Sequence, residues 1–386
     1  MNRTLIAIMF FGLAVATFQC TPAHAQTTEA GSIFQVVSTP SPYFNNAIFA
    51  SSASSTSDIW AVGDEAMHYN GKTWQSFTVP KVSGNNTSFI QGVVDISPSE
   101  AWAVGNVVDG SPLGQFIVKW NGKAWSTFTS PSFPAGSQAD LFAITSTSAD
   151  DIWAVGNLVE SDGNEFNLFE HFDGSAWSAT TILQSNFAGL TGASADASND
   201  VWAVGFQETD IDFTFATHYN GTTWDQVDTP NVGSGSNELE AVLALAPDNV
   251  WAVGFYVPNA PPINGNTQNL IEHYDGTAWS VVSSPNIGNG NQSNRLFGLT
   301  GRSANDLWAF GSDFAADGSG FQSTLVMHYD GTAWEIVPSP DPTSGNFLAD
   351  VLFTGVTPAA GNVWIFGSED QAHDDGSLAL HTLKGN

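Results

Sequence analysis

The segment Asp58-Ile59-Trp60-Ala61-Val62-Gly63 decides how the rest of the chain is read. It returns with Trp at 102, 153, 202, 251, 308 and 364, drifting to Trp308-Ala309-Phe310-Gly311 and Trp364-Ile365-Phe366-Gly367 in the last two copies. A second segment, His68-Tyr69-Asn70-Gly71-Lys72-Thr73-Trp74, recurs with its closing Trp at 125, 177, 224, 279 and 334, and the two alternate without exception. Apolar residues at consecutive positions, as in Trp-Ala-Val-Gly, mark a strand covered on both faces. Asn-Gly or Asp-Gly between β-rich runs marks a hairpin, read here as a type I′ turn with positive φ at both central residues. The stretch before each Trp-Ala-Val-Gly, such as Leu239 to Leu245 or Leu296 to Thr300, adds a further strand, so each unit holds four. Seven units of roughly 50 residues predict an all-β, seven-bladed β-propeller of four-stranded antiparallel blades.

The seventh unit lacks its outer strand, because the chain stops at His381-Thr382-Leu383-Lys384-Gly385-Asn386. Near the other end, Phe34-Gln35-Val36-Val37-Ser38-Thr39-Pro40 lines up with Trp279-Ser280-Val281-Val282-Ser283-Ser284-Pro285. Residues 31 to 38 are therefore expected to pair onto the C-terminal blade and close the ring, leaving no open junction between first and last blades.

The 386 residues carry 8 Lys plus Arg against 38 Asp plus Glu, a formal charge of −30 that arises from missing cations. Nucleic acids and anionic membranes are bound through clustered Lys and Arg, so both are set aside as partners. At the N-terminus, Arg3 precedes an apolar run, Leu5 to Phe18, too short to span a bilayer. Ala23 and Ala25 then take the −3 and −1 positions of a cleavage site before Gln26. Residues 1–25 read as a secretory signal peptide and 26–386 as a single propeller domain, secreted or periplasmic. A lipid anchor at Cys20 is disfavoured by the preceding Gln19, where a small residue is needed. Cys20 is the only cysteine, so cleavage after Ala25 leaves no disulfide, thiolate site or cysteine nucleophile.

The alternation of Asp-Val/Ile-Trp-Ala-Val-Gly with His-Tyr-Asp-Gly-Thr-Ala-Trp resembles the secreted bacterial propellers with Trp-Ala-Val-Gly repeats, of the galactose-oxidase-like or Kelch-type superfamily. The resemblance covers the chain from about residue 31 onward and implies the fold; propellers of these kinds range from enzymes to adhesion and sensor modules. The sequence lacks the Gly-Gly doublets of Kelch repeats, the Gly-His and Trp-Asp pair of WD40 repeats and the sialidase Ser-x-Asp-x-Gly-x-Thr-Trp box.

Sialidases hold their substrate with three arginines, whereas Arg295 and Arg302 are the two in the chain after residue 25. Copper chemistry of the galactose-oxidase kind needs a Tyr-Cys cross-link. His68, His171, His218, His273 and His328 share one repeat position, which His381 continues, and so are spread around the ring rather than gathered on a metal. His373, within Asp370 to Asp375, reads as part of a solvated acidic loop. The tryptophans read as packing between blades, and Asp58, Glu100, Asp151, Asp200, Asn249, Asp306 and Asn362 as turn formers or caps. No catalytic residue and no metal ligand is selected by spacing.

In such a blade the loop between the second and third strands opens on the same face as the crossing to the next blade. The Trp-to-Trp distance spanning that loop varies as 14, 23, 24, 22, 28 and 26 residues, while the hairpin turns on the other face keep one length. Variable loops on a rigid scaffold are where binding collects. Asp109, Asp162, Glu165, Asp212, Asp317, Asp374 and Asp375 are accordingly the expected binding residues. Asp162-Gly163-Asn164-Glu165 and Asp317-Gly318-Ser319-Gly320 could hold Ca²⁺ but lack the full spaced-carboxylate pattern, so no cofactor is expected. The function expected is a secreted, non-catalytic, monomeric module that presents this face to a protein or glycan. The alternative is a polysaccharide-active hydrolase or lyase with carboxylates at the channel mouth.

Overall fold

In the computed structural model, the described residues are 31–40, 47–80, 88–107, 114–184, 186–259, 266–290, 292–314, 322–341, 350–371 and 374–383. They form seven antiparallel four-stranded sheets and one short 3-10 turn, Ile287–Gly290. The first blade comprises Ile48–Ser55, Asp58–Gly63, Ala66–Tyr69 and Trp74–Phe77, in that order from the axis outward. Five more repeat the order, and each inner strand touches the next, the last returning to the first.

Closure is as expected. The outer strand of the seventh sheet is Phe34–Val36, with Phe34 opposite Thr382, Gln35 opposite His381 and Val36 opposite Leu380. The pairing continues through Val37 N–H to the Ala379 carbonyl, 2.8 Å, and Leu383 N–H to the Ile33 carbonyl, 2.6 Å.

What joins one blade to the next is an aromatic contact made seven times. The second-strand Trp of each blade meets the hairpin Trp of the following blade edge to face, from Trp60 against Trp125, 4.8 Å, to Trp364 against Trp74, 5.5 Å. Phe34 takes the part of the missing hairpin Trp, its ring 5.5 Å from Trp308 at 89°. All seven second-strand tryptophans are buried, and Phe34 is fully so. Such pairs add about 0.5–1.5 kcal/mol each beyond the area they bury.

Two local expectations are corrected. The hairpin loops are four residues long rather than two, since Tyr69 pairs with Trp74 and likewise in the other blades. Positive φ falls on Gly71 at 85°, while Asn70 acts through its side chain: Oδ1 accepts from the N–H groups of Lys72 and Thr73. The acidic or amide residue two before each second-strand Trp is a partner rather than a cap. Asp58, Asp151, Asp200 and Asp306 receive the Nε2 of His68, His171, His218 and His328 at 2.6, 2.7, 2.6 and 3.0 Å. Asn249 and Asn362 receive His273 and His381 in the same way, and each His ring lies over its blade's Trp, as His171 on Trp153 at 4.1 Å. The second blade changes both partners together. Lys119 there reaches Glu100 at 2.7 Å and lies 4.6 Å above Trp102, a cation in place of the stacked imidazole.

Phe34→Ala removes a fully buried ring from the seam and is expected to cost about 3–5 kcal/mol. Removing residues 26–40 is expected to lower the melting temperature further. Calorimetry of both checks the closure, which an unchanged melting curve would refute.

Candidate functional site

The conserved length of Trp-Ala-Val-Gly has a steric origin at its last residue. A Cβ on Gly254 would lie 2.0 Å from the Glu238 carbonyl oxygen, and the same approach, 1.8–2.0 Å, recurs at Gly63, Gly105, Gly156, Gly205, Gly311 and Gly367. It accompanies a β-bulge in every inner strand. Leu239 is opposite Gly254 and Ala241 opposite Val253, so Glu240 has no partner across the ladder. The bulge residues in the other blades are Phe49, Gln91, Phe142, Thr191, Phe297 and Phe353. Phe353 lies 5.7 Å from both Phe49 and Phe297, so these side chains converge from neighbouring blades on the central channel. Its described wall is thus largely phenylalanine, with Glu240 set into it.

Above Glu240, at the face where inner strands begin, three blades contribute ionisable groups. Asp212, from the second-to-third loop of the fourth blade, lies near enough to Glu238, at the start of the fifth inner strand, Asn237–Ala246, for its charge to act on that carboxyl. Its backbone is held by Ser236 Oγ, which accepts the Asp212 N–H at 3.1 Å, and by Asn237 N–H, which donates to its carbonyl at 2.9 Å. Arg295, on the sixth inner strand, Ser293–Ser303, puts its guanidinium 4.3 Å from the Phe255 ring centroid, and its Nε is buried without a hydrogen-bond partner.

Burial dominates the electrostatics here. It pushes Glu240 up to about 8, with repulsion from Glu238 adding and the Arg295 charge opposing. Glu238 is pushed up to about 7 by burial first, then by the Asp212 charge, again opposed by Arg295. Elsewhere burial raises Glu170 and Glu272 to about 8 and Asp95 to about 7. Both oxygens of Glu272, which is fully buried, lack a hydrogen-bond partner.

Of the seven expected binding residues, Asp212 alone is found in this cluster. Asp162 sits in a tight turn at the tip of the third blade, where its carboxylate accepts the Asn164 N–H at 3.0 Å, and Glu165 begins the strand that leaves it. That segment is an extended hairpin, Asp151–Val159 with Glu165–Phe172, rather than an open loop. The seventh blade is built alike, and Asp374 and Asp375 fall in its strand Asp374–Thr382, opposite Gln371 and Asp370. Asp109, Asp317 and His373 lie outside the described residues. Among the described residues no group of three or more His, Cys, Asp or Glu side chains is placed to hold a metal ion. Sequence reasoning missed Glu238, Glu240 and Arg295. The signal available was a pair of acids interrupting an otherwise apolar inner strand, and one of two arginines in the chain after residue 25.

The chain matches no protein-family model and no curated protein. Its fold matches solved propellers. It is similar to YCF48 bound to D1 peptide, at TM-score 0.56 and 16% identity over 95% of this chain and all of that one. It is also similar to the WD40 β-propeller domain of Doa1, at TM-score 0.54 and 10% identity over 92% and 98% of the two chains. At these identities the likeness is one of fold. Among the described residues no helix is long and apolar enough to cross a membrane.

Two measurements follow. Gly254→Ala is expected to destabilise by about 1–3 kcal/mol or more, because the added methyl meets backbone that cannot rotate away; urea unfolding reads this. The raised carboxyls bind protons in the folded chain that the unfolded chain has released, so their contribution is full below about pH 4 and is lost as pH rises through about 7 to 8. Asp173, Asp275 and Asp330 act oppositely, held at about 2 by hydrogen bonds in their turns, and their contribution is lost as pH falls toward that value. The melting temperature should therefore peak at mildly acidic pH and fall by several degrees by about pH 8.5, and Glu272→Gln should flatten the decline.

Proposed function

We propose that the chain is a secreted, non-catalytic binding module whose loop face, centred on the channel mouth, engages a protein or glycan. The observation that carries this reading is the meeting of Asp212, Glu238 and Arg295, from three successive blades, on the face that carries the variable loops. A rigid ring holds these groups in register, which lowers the ordering cost of binding. A formal charge of −30 favours cationic or neutral, hydroxyl-rich partners over anionic ones. A propeller of similar fold is bound to a peptide, which is consistent with an interaction role. Asp162 and Glu165 would extend the surface along its rim.

The alternative, a polysaccharide-active hydrolase or lyase, draws on the same carboxyls. Glycoside hydrolysis needs two carboxyls about 5–9.5 Å apart on either side of the scissile bond, and an assay of turnover separates that reading from binding.

The mature protein, applied to glycan and peptide arrays beside an assay of reducing-sugar release, tests the reading. Binding without turnover is expected, weakened about tenfold in the Asp212→Asn/Glu238→Gln double variant, as for loss of about 1.4 kcal/mol. Turnover would replace this reading with the hydrolase, and unchanged binding in the double variant would move the surface elsewhere.

A further inference from the structure

A second feature lies away from the loop face, on the outer wall of the ring where first and last blades meet. A cavity of about 520 Å³ opens there between the closing segment, residues 35 and 37–40, and the hairpin of the first blade. Its wall is aromatic. Tyr69 lies 5.4 Å from Trp74 and 5.1 Å from Trp364, and Trp74 lies 5.5 Å from Trp364, so the rings form one cluster in which Trp364 is buried and Tyr69 and Trp74 are partly exposed. His381 stacks on Trp364 at 3.9 Å. Of the six hairpin tryptophans, Trp125, Trp177, Trp224, Trp279 and Trp334 are buried, whereas Trp74 is only partly so. The same ring that is covered between blades elsewhere is partly exposed here.

Beyond the aromatic rings the lining mixes the apolar Val37 and Pro40 with polar groups and one cation. Gln35, Ser38, Thr39 and Thr73 supply amide and hydroxyl groups, and Lys72 supplies an exposed ammonium. Among the described residues no Asp or Glu lines the cavity, in a chain with 38 of them. That absence argues against a cationic ligand. Aromatic rings beside a fringe of hydroxyl, amide and ammonium donors match a pyranose, which presents a flat C–H face for stacking and a rim of hydroxyls for hydrogen bonding. The volume lies within the roughly 300–1,000 Å³ usual for small-ligand sites. We infer that this seam cavity is a saccharide-binding site, with a pyranose ring stacked on Trp74 and Tyr69 and its hydroxyls held by Lys72, Thr73 and the closing segment.

The site is independent of the channel mouth, and the test keeps the two apart. Isothermal titration and saturation-transfer NMR would be run on the mature protein with neutral gluco-, galacto- and manno-oligosaccharides. The proposal expects at least one to bind, at least tenfold more weakly in Trp74→Leu. Because Trp74 also packs on Trp364 and Phe366, a second variant, Lys72→Ala/Thr73→Ala, alters only exposed side chains and should weaken the same saccharide by a similar factor. Asp212→Asn/Glu238→Gln should leave that affinity unchanged. Failure of every oligosaccharide to bind overturns the proposal, as does wild-type affinity in Lys72→Ala/Thr73→Ala.

Discussion

The structure depends on one contact made seven times, the edge of one indole or phenyl ring set against the face of the next blade's tryptophan. A single four-stranded blade has two apolar faces and cannot bury both alone. Each second-strand Trp solves this by packing across the seam, with the neighbouring strands' Val, Ile and Leu filling around it. Because every blade needs two neighbours, a ring is complete only when every seam is made alike. Phe34 completes the one between the sixth and seventh blades, from a segment more than three hundred residues away in the chain from its partner strand.

The same repetition governs the channel. The glycine that ends Trp-Ala-Val-Gly lets the inner-strand carbonyl approach closely, and the bulge beside it turns one residue of each blade toward the axis. The scaffold sets where that side chain goes and leaves its identity free. Four blades use phenylalanine, and the fifth uses Glu240 beside a mouth that already holds Glu238, Asp212 and Arg295. The outer wall follows a similar logic. There the seam made by a separate segment leaves Trp74 partly open, where the other hairpin tryptophans are covered.

Low charge follows from this architecture, since strands covered on both faces leave few positions for Lys or Glu. The formal −30 overstates the ionisation near neutrality, because Glu170, Glu272 and Glu240 hold protons to about pH 8. Conversely the exposed turn aspartates, Asp173, Asp275 and Asp330, are ionised through nearly the whole pH range. Negative charge is thus strongest at the hairpin turns and the loop rims, and weaker at the channel than composition suggests.

The number of blades, the strand order within them and the segment that closes the ring are all determined by the sequence alone. Each is a local signal repeated at one spacing: consecutive apolar residues, an Asn-Gly or Asp-Gly pair, a missing last strand with its counterpart at Phe34. The tertiary structure decided the turn geometry, because Asn70 and its equivalents act through a side-chain oxygen that no dipeptide rule describes. It decided that Asp58 and its equivalents serve the stacked histidines, a pairing visible in sequence only as two separate repeats. It also decided which acids meet. Asp212 could be named from its loop, but its partner Glu238 and the nearby Arg295 come from two further blades, and only the bulged inner strands bring them to one mouth. Repeats are legible because each copy restates the same local physics, whereas a site built between copies depends on where the ring places them.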